Sequence, residues 1–138
     1  MSRVKWVAAV AVTVAVTVAA LRAARRVLLF VPVSGVSMEP GLRAGQRLLA
    51  VRRPFTGPLR AGEVVVVRHR SGPGAVGHVV KRVTAVAGDR VPGPPGAVLD
   101  AGQVWIEGDG KNSYDSRHFG PVAQSEVVAV VRARLWGP

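Results

Sequence analysis

Two residues of this chain, Ser37 and Lys81, are of types that together can carry acyl-transfer chemistry. Ser37 stands in "SGVSMEPGL", between glycines and ahead of a proline. Taken alone, a serine in such a setting is usually a turn residue. Lys81 stands in "HVVKRVTAV", a short β-branched run that reads as a strand. Strand alternation puts Val79, Lys81, Val83 and Ala85 on one face, and His78, Val80, Arg82 and Thr84 on the other. The first face is apolar except for Lys81. Burial strips water from an ammonium and disfavours it, which can lower a lysine pKa by several units. The strand pattern alone fits a solvated face or a snorkelling side chain equally well. Together, a hydroxyl and an uncharged amine make a serine nucleophile with a lysine base, a recognised variant of the Ser-His-Asp arrangement.

The three histidines, His69, His78 and His118, offer a competing assignment in which His118 and Asp115 serve Ser37. Those two lie three residues apart in an expected turn, where a histidine is more often a surface residue. No pair of histidines has the spacing and carboxylate support of a metal site, and the serine–lysine chemistry needs no cofactor. Asp89 and Asp109 each follow a glycine and fit turn positions.

These residues need elements to hold them. "QRLLAVRR", "GEVVVVRH", "GHVVKRVTAVAGD", "GQVWIEG" and "SEVVAVVRARLW" are valine-rich runs bounded by turn residues, and each predicts a strand. No segment after residue 33 carries a long helical period, so the expected fold is mainly antiparallel β. "VLLFVPV" (Val27 to Val33) contains Pro32 and reads as a first strand or an apolar shelf against a bilayer. "RSGPGAVG" (Arg70 to Gly77) and "VPGPPGAVLDAG" (Val91 to Gly102) are expected loops.

The 138 residues, 49% of them hydrophobic, suit one domain plus an appendage. The absence of cysteine excludes disulfides, thiolate metal sites and cysteine nucleophiles. A net charge of +11 raises nucleic acid as a partner, but the basic residues are scattered and aromatics make up only 5% of the chain. Nucleic-acid binding is therefore not expected; a solvated basic face with attraction to acidic headgroups is. "WVAAVAVTVAVTVAAL" (Trp6 to Leu21) has no charge, and Lys5 and Arg22 can snorkel to the two interfaces, so the segment predicts one transmembrane helix. A cleaved secretory signal is the alternative, although Arg22, Arg25 and Arg26 interrupt and follow its small-residue site. The expected division is residues 1–26 for the span and 27–138 for the β-rich domain. Arg3 and Lys5 on one side balance the arginines on the other, so charge fixes no orientation. The sequence carries no signature of an oligomeric state.

With those residues in place, the chain resembles the type I signal peptidases. "SGVSMEPGL" looks like their Ser-Met-x-Pro signature, "VKRVTAVAGD" resembles their Lys-Arg-Val segment ending in Gly-Asp, and "EGDGKNSYDSRHFGPV" is similar to their C-terminal segment. The last stretch, with "GQVWIEGD" before it and "RARLW" after it, looks especially like the mitochondrial inner membrane protease branch. The likeness runs from about Ser34 to Trp136. It implies a β-rich, membrane-anchored serine endopeptidase that cleaves signal peptides from preproteins after small residues. It also implies a plasma-membrane location, with one span and the catalytic domain on the extracytoplasmic face. By the resemblance, Ser37 is the nucleophile, Lys81 the general base, and Ser113 a hydroxyl that orients the amine. Asp115 and Arg117 support the site, with Arg82 a plausible neighbour. Met38 and Pro40 border the substrate groove. Gly35 stands where some members carry an oxyanion hydroxyl, which leaves the Ser37 N–H as first donor and Ser34 as a weaker one. Gly41, Ala87 and Gly110 depart from the family's usual threonine, proline and asparagine. Two readings from other classes stay beside this one. A self-cleaving repressor-type protease would need a DNA-reading module, and a catalytically silent, membrane-tethered β module would bind partners or lipid.

Overall fold

A computed structural model describes residues 2–70, 74 and 76–137. The chain opens with helix α1 (Arg3–Val27), in which no residue is buried and whose apolar window has a mean hydropathy of 2.1. It is long and apolar enough to cross a membrane. Thr13 and Thr17 return their hydroxyls to the carbonyls of Ala9 and Thr13, each at 2.9 Å, so neither presents an unpaired donor to lipid. The helix runs directly into strand β1 (Leu28–Pro32), where Pro32 takes the last strand position.

Six further strands follow: β2 (Arg47–Arg52), β3 (Val64–Arg70), β4 (Val76–Val86), β5 (Gln103–Glu107), β6 (Val122–Ala123) and β7 (Val127–Trp136). A four-residue helix, α2 (Ser116–Phe119), sits between β5 and β6. The strands form one antiparallel sheet in the order β1-β2-β7-β3-β4-β5-β6. The mainly β architecture with an N-terminal apolar helix is as the sequence predicts. All five valine-rich runs became strands. The loop expected over Arg70 to Gly77 is tighter than its composition suggests, because Arg70 pairs with Val76 and His69 with Gly77. Its centre, residues 71–73 and 75, lies outside the described residues.

The sheet buries both faces. Val65 and Val67 point into a cluster with Val83, Val104, Ile106, Val127 and Val130, while Val66 points into another with Val31, Met38, Leu48, Ala50 and Ala129. Each fully buried valine contributes on the order of 1.5–3 kcal/mol. β7 serves both halves: Val127 to Val130 pair with β3, and Ala129 to Trp136 pair with β2 through register shifts that bend the strand. β4 pairs with β3 over its first seven residues and with β5 from Arg82 onward. Lys81 lies where these two pairings meet.

Candidate active site

Lys81 lies on the inner face of β4 with Val83 and Ala85, directly across from Val65, and is 5% exposed. Its Nζ donates a 2.6 Å hydrogen bond to Ser113 Oγ. Burial pushes the Lys81 ammonium below its ordinary pKa; the Asp115 carboxylate pulls it up, and the Arg117 guanidinium pushes it down again. A buried lysine whose direct partner is a hydroxyl has no counterion in contact to keep it charged. This fulfils the apolar-face reading of the strand and excludes both the solvated face and the snorkelling side chain.

Ser37 occupies the turn after β1. Gly35 supplies the turn with a φ of 79°, a conformation other residues rarely adopt. Met38, 2% exposed, anchors the turn by joining the core beneath β1 and β2. A second segment clamps it from the other side, because the Gly110 N–H donates to the Ser37 carbonyl at 2.9 Å. Two nearby glycines are closely approached, and backbone leaves Gly108 no room for a side chain. A Cβ on Gly108 would collide with the Ser113 hydroxyl and the Ser37 carbonyl, and one on Gly41 would collide with the Asp109 carboxylate. At Gly41 the obstructing atom is the end of the Asp109 side chain, so a larger residue there would displace Asp109 from its present approach.

Ser37 and Lys81 both line a cavity of about 570 Å³, together with the apolar Val67, Val79, Ile106 and Phe119 and the polar Arg68, His69 and Tyr114. Among the described residues no hydrogen bond joins the two side chains, and the Ser37 N–H makes none either. Ser37 also borders a smaller cavity of about 80 Å³, walled by Val31, Val33, Met38, Val79 and Val80 and edged by Ser34, Gly35 and His78. Pro40 lies apart, at a surface depression beside Arg43 and Arg134.

Two ion pairs frame the lysine. Asp115, with a side chain 0% exposed, caps α2 and takes Arg117 Nε at 2.9 Å and Nη2 at 2.6 Å. It also accepts the Gly108 N–H at 2.8 Å. Burial pushes this carboxyl up, yet the hydrogen bonds from Arg117, Gly108 and Ser113 outweigh burial and hold it well below the ordinary carboxylate range. On the outer face of β4, Arg82 grips Asp109 through Nε at 2.9 Å and Nη2 at 2.8 Å. Of the three histidines, His69 lines the larger cavity and His78 the smaller one. His118 accepts the Asp115 N–H through Nδ1 at 3.4 Å and packs on Tyr114 at 5.1 Å, and it lines none of the three cavities that Ser37 borders. With Asp115 committed to Arg117, a triad through His118 has no free carboxylate.

The sequence reading did not single out Gly108, Ser116, Tyr114 or Phe119. Ser116 is buried and accepts the Ile106 N–H at 3.0 Å, fastening α2 to β5. Its partner is a backbone group, so no residue pattern marks it. Gly108 carried a signal in the repeated glycines of "EGDG", although its contacts come from segments far apart in the chain.

The chain matches the model of the signal peptidase family, peptidase S26, over residues 3–99 and 94–136. It is 31% identical over 113 residues to mitochondrial inner membrane protease subunit 1 of Mus musculus, covering 75% of this chain and 66% of that protein. The corresponding protein of Schizosaccharomyces pombe is 33% identical over 112 residues, covering 75% of this chain and 70% of its own length. Mitochondrial ATP-independent inner membrane protease subunit 1a of Arabidopsis thaliana is 35% identical over 118 residues, covering 77% and 69%. The chain thus spans about two thirds of the length of these relatives. Their names bear out the branch to which the C-terminal segment pointed. They overturn the plasma-membrane location expected from the sequence, since they point to the mitochondrial inner membrane. The residue patterns behind that expectation are those of a span and a fold, and neither distinguishes one membrane from another.

Proposed function

Since the chain belongs to the signal peptidase family, peptidase S26, we propose that it is a membrane-anchored serine endopeptidase that cleaves leader peptides from translocated precursor proteins, with Ser37 as nucleophile and Lys81 as general base. The observation that carries this reading is the buried amine of Lys81, held by a hydroxyl and opening on the cavity that Ser37 also lines. α1 anchors the enzyme by crossing the bilayer, with residues 1–26 as the span and 27–138 as the catalytic domain.

Neutral Lys81 takes the proton of Ser37 as the hydroxyl attacks the scissile carbonyl. Ser113 holds the amine so that its lone pair faces Ser37. The unpaired N–H of Ser37 receives the developing oxyanion, with the Ser34 hydroxyl beside it. The ammonium of Lys81 then protonates the leaving amine, and a water activated by the same lysine releases the acyl-enzyme. The 80 Å³ cavity supports a preference for small side chains before the cut, because walls from β1 and β4 leave room for a small side chain and not for a large aromatic one. Asp115 favours the charged form of Lys81, but Arg117 offsets part of that pull and burial outweighs it.

The test incubates detergent-purified full chain with a preprotein carrying an Ala-x-Ala site, beside Ser37→Ala and Lys81→Ala. Cleavage at that site by the unaltered chain alone is expected. Equal cleavage by either variant sinks the assignment of roles. An activated acyl inhibitor that fails to label Ser37 would instead favour a silent binding module.

A further inference from the structure

The end of the sheet that α1 feeds carries a basin of positive charge, in which Arg52 and Arg53 border neither cavity beside Ser37, while Arg68 and His78 each border one of them as well. α1 passes into β1 without a linker, Val27 closing the helix and Leu28 opening the strand. A hydrocarbon core of ~30 Å takes about 20 helical residues. Counted from Trp6, it ends near Arg25, so Leu28 and Leu29 emerge in the headgroup layer. Around Leu29, Arg52 at the end of β2, Arg53 just beyond it, Arg68 from β3 and His78 from β4 border an open depression of about 470 Å³ with Ser125, Val127 and Val128. No acidic side chain lines it. Glu126 reaches Arg68 only at 4.0 Å, with both side chains well exposed. Arg52 spends its Nε on the Leu28 carbonyl at 3.3 Å, and Arg53 spends one Nη on the Gly57 carbonyl at 3.3 Å. The remaining guanidinium donors of these two arginines have no partner among the described residues. Arg25 and Arg26 in the last turn of α1 add charge at the same level, and Phe55, two residues beyond Arg53, is largely exposed.

We propose that the basin formed by Arg52, Arg53, Arg68 and His78 binds the phosphate of anionic phospholipid headgroups in the leaflet on the domain's side. Guanidinium forks suit phosphate oxygens in geometry and charge. The flanking Leu29, Val127 and Val128 give the upper acyl chain an apolar surface. An acidic stretch of substrate is the competing occupant. The junction favours lipid, because α1 holds the basin in the headgroup layer whether or not a substrate is present. Binding there would fix the tilt of the sheet on the membrane, and with it the height of Ser37. The inference rests on α1 crossing the bilayer and is independent of the roles given to Ser37 and Lys81.

The test reconstitutes the full chain in nanodiscs of phosphatidylcholine, alone or with rising phosphatidylglycerol, and follows amide hydrogen exchange over residues 52–57 and 124–128. Phosphatidylglycerol should slow exchange in both segments. The dose required should rise about fivefold for each arginine removed in Arg52→Gln and Arg53→Gln, and should fall in Glu126→Gln. An Arg43→Gln/Arg60→Gln double variant, altered in the loops before β2 and β3, should need the unaltered dose. Equal exchange with and without phosphatidylglycerol overturns the proposal, as does a control variant that shifts the dose as far as the basin variants. Equal protection by inorganic phosphate in phosphatidylcholine discs assigns the basin to a free anion. Protection by an acidic peptide where phosphatidylglycerol gives none assigns it to substrate. Either result overturns the lipid assignment, and so does a chain that fails to enter the discs.

Discussion

Lys81 and Arg82 are adjacent basic residues of β4, and the pleat sends them to opposite faces with opposite kinds of partner. Lys81 faces inward, 5% exposed, and finds the Ser113 hydroxyl. Arg82 faces outward, its side chain 35% exposed, and finds both oxygens of Asp109. Burial acts against charge on both, but only the arginine has a carboxylate in contact to offset it. The carboxylate nearest the lysine, Asp115, is already taken by Arg117. A basic side chain therefore becomes a candidate base where its neighbours are hydroxyls and its nearby acids are already paired. It stays a structural cation where an acid is left for it.

The sharpest way to break this contrast is to replace each member in turn. Lys81→Met keeps the length and apolar stem of the side chain, fills the same space and removes only the amine. Peptide cleavage should fall by at least about 10³-fold, since a general base and its nucleophile act as a unit. The melting temperature should hold or rise, because a desolvated amine is no longer buried. A fall in both would make Lys81 a packing residue. In the unaltered enzyme, kcat/KM should climb with pH as Lys81 loses its proton, with a midpoint below the ordinary lysine value because burial lowers this pKa. A midpoint at the ordinary value would mean that burial has not discharged the amine.

Arg117→Gln should have the next largest effect. It leaves Asp115 buried without its main partner and facing Lys81. Two consequences have definite signs. The freed carboxylate favours the ammonium, so the rising limb of the pH profile should move to higher pH, and activity at neutral pH should drop about tenfold while recovering in alkali. The paired carboxylate, whose pKa is depressed in the folded chain, gives stability that is present above the unfolded aspartate pKa of about 3.9 and lost as pH falls below it. Removing Arg117 should therefore cost roughly 2 kcal/mol at neutral pH, below the figure for a fully buried pair because the guanidinium is 37% exposed. The cost should shrink toward acid. An unmoved rate profile would show that Arg117 acts only as a structural tie.

How far these arrangements can be read from sequence differs with their range. The strands were legible because a valine-rich run between turn residues reports its own burial, and the alternation of "HVVKRVTAV" marked Lys81 as an oddity while leaving its burial undecided. The helix was legible for a different reason, an uncharged apolar run long enough to cross a bilayer. What could not be read are relations between segments. The donor of Asp115 at Gly108, the tie from Ser116 to Ile106 and the approach of Asp109 to Gly41 each join residues whose types are unremarkable where they stand. β6 has only two residues, too few for any alternation to show.

Arg82→Gln tests the outer half of the contrast. The bidentate pair with Asp109 sits at the sheet surface and holds the glycine turn after β5 near Gly41. Its loss should cost about 1–2 kcal/mol, more than an exposed pair and less than a buried one. Activity should fall by less than tenfold with the pH profile in place, because no charge beside Lys81 has changed. A profile that moved as far as in Arg117→Gln would erase the distinction between the two faces of the strand.

His118→Ala should do least. The ring accepts one long hydrogen bond, from the Asp115 N–H at 3.4 Å, and packs on Tyr114, with half of the side chain in solvent. Removing it opens one side of the capping box on α2 and leaves the Asp115 side chain bound to Arg117 and Gly108. A cap of this kind contributes about 1 kcal/mol or less when half of it remains. The expected result is a slightly lower melting temperature with most of the cleavage rate retained. Loss of cleavage in His118→Ala together with a tolerated Lys81→Met would reverse the roles, making the imidazole the base and the buried amine a bystander, and the contrast between the two faces of β4 would then concern packing alone.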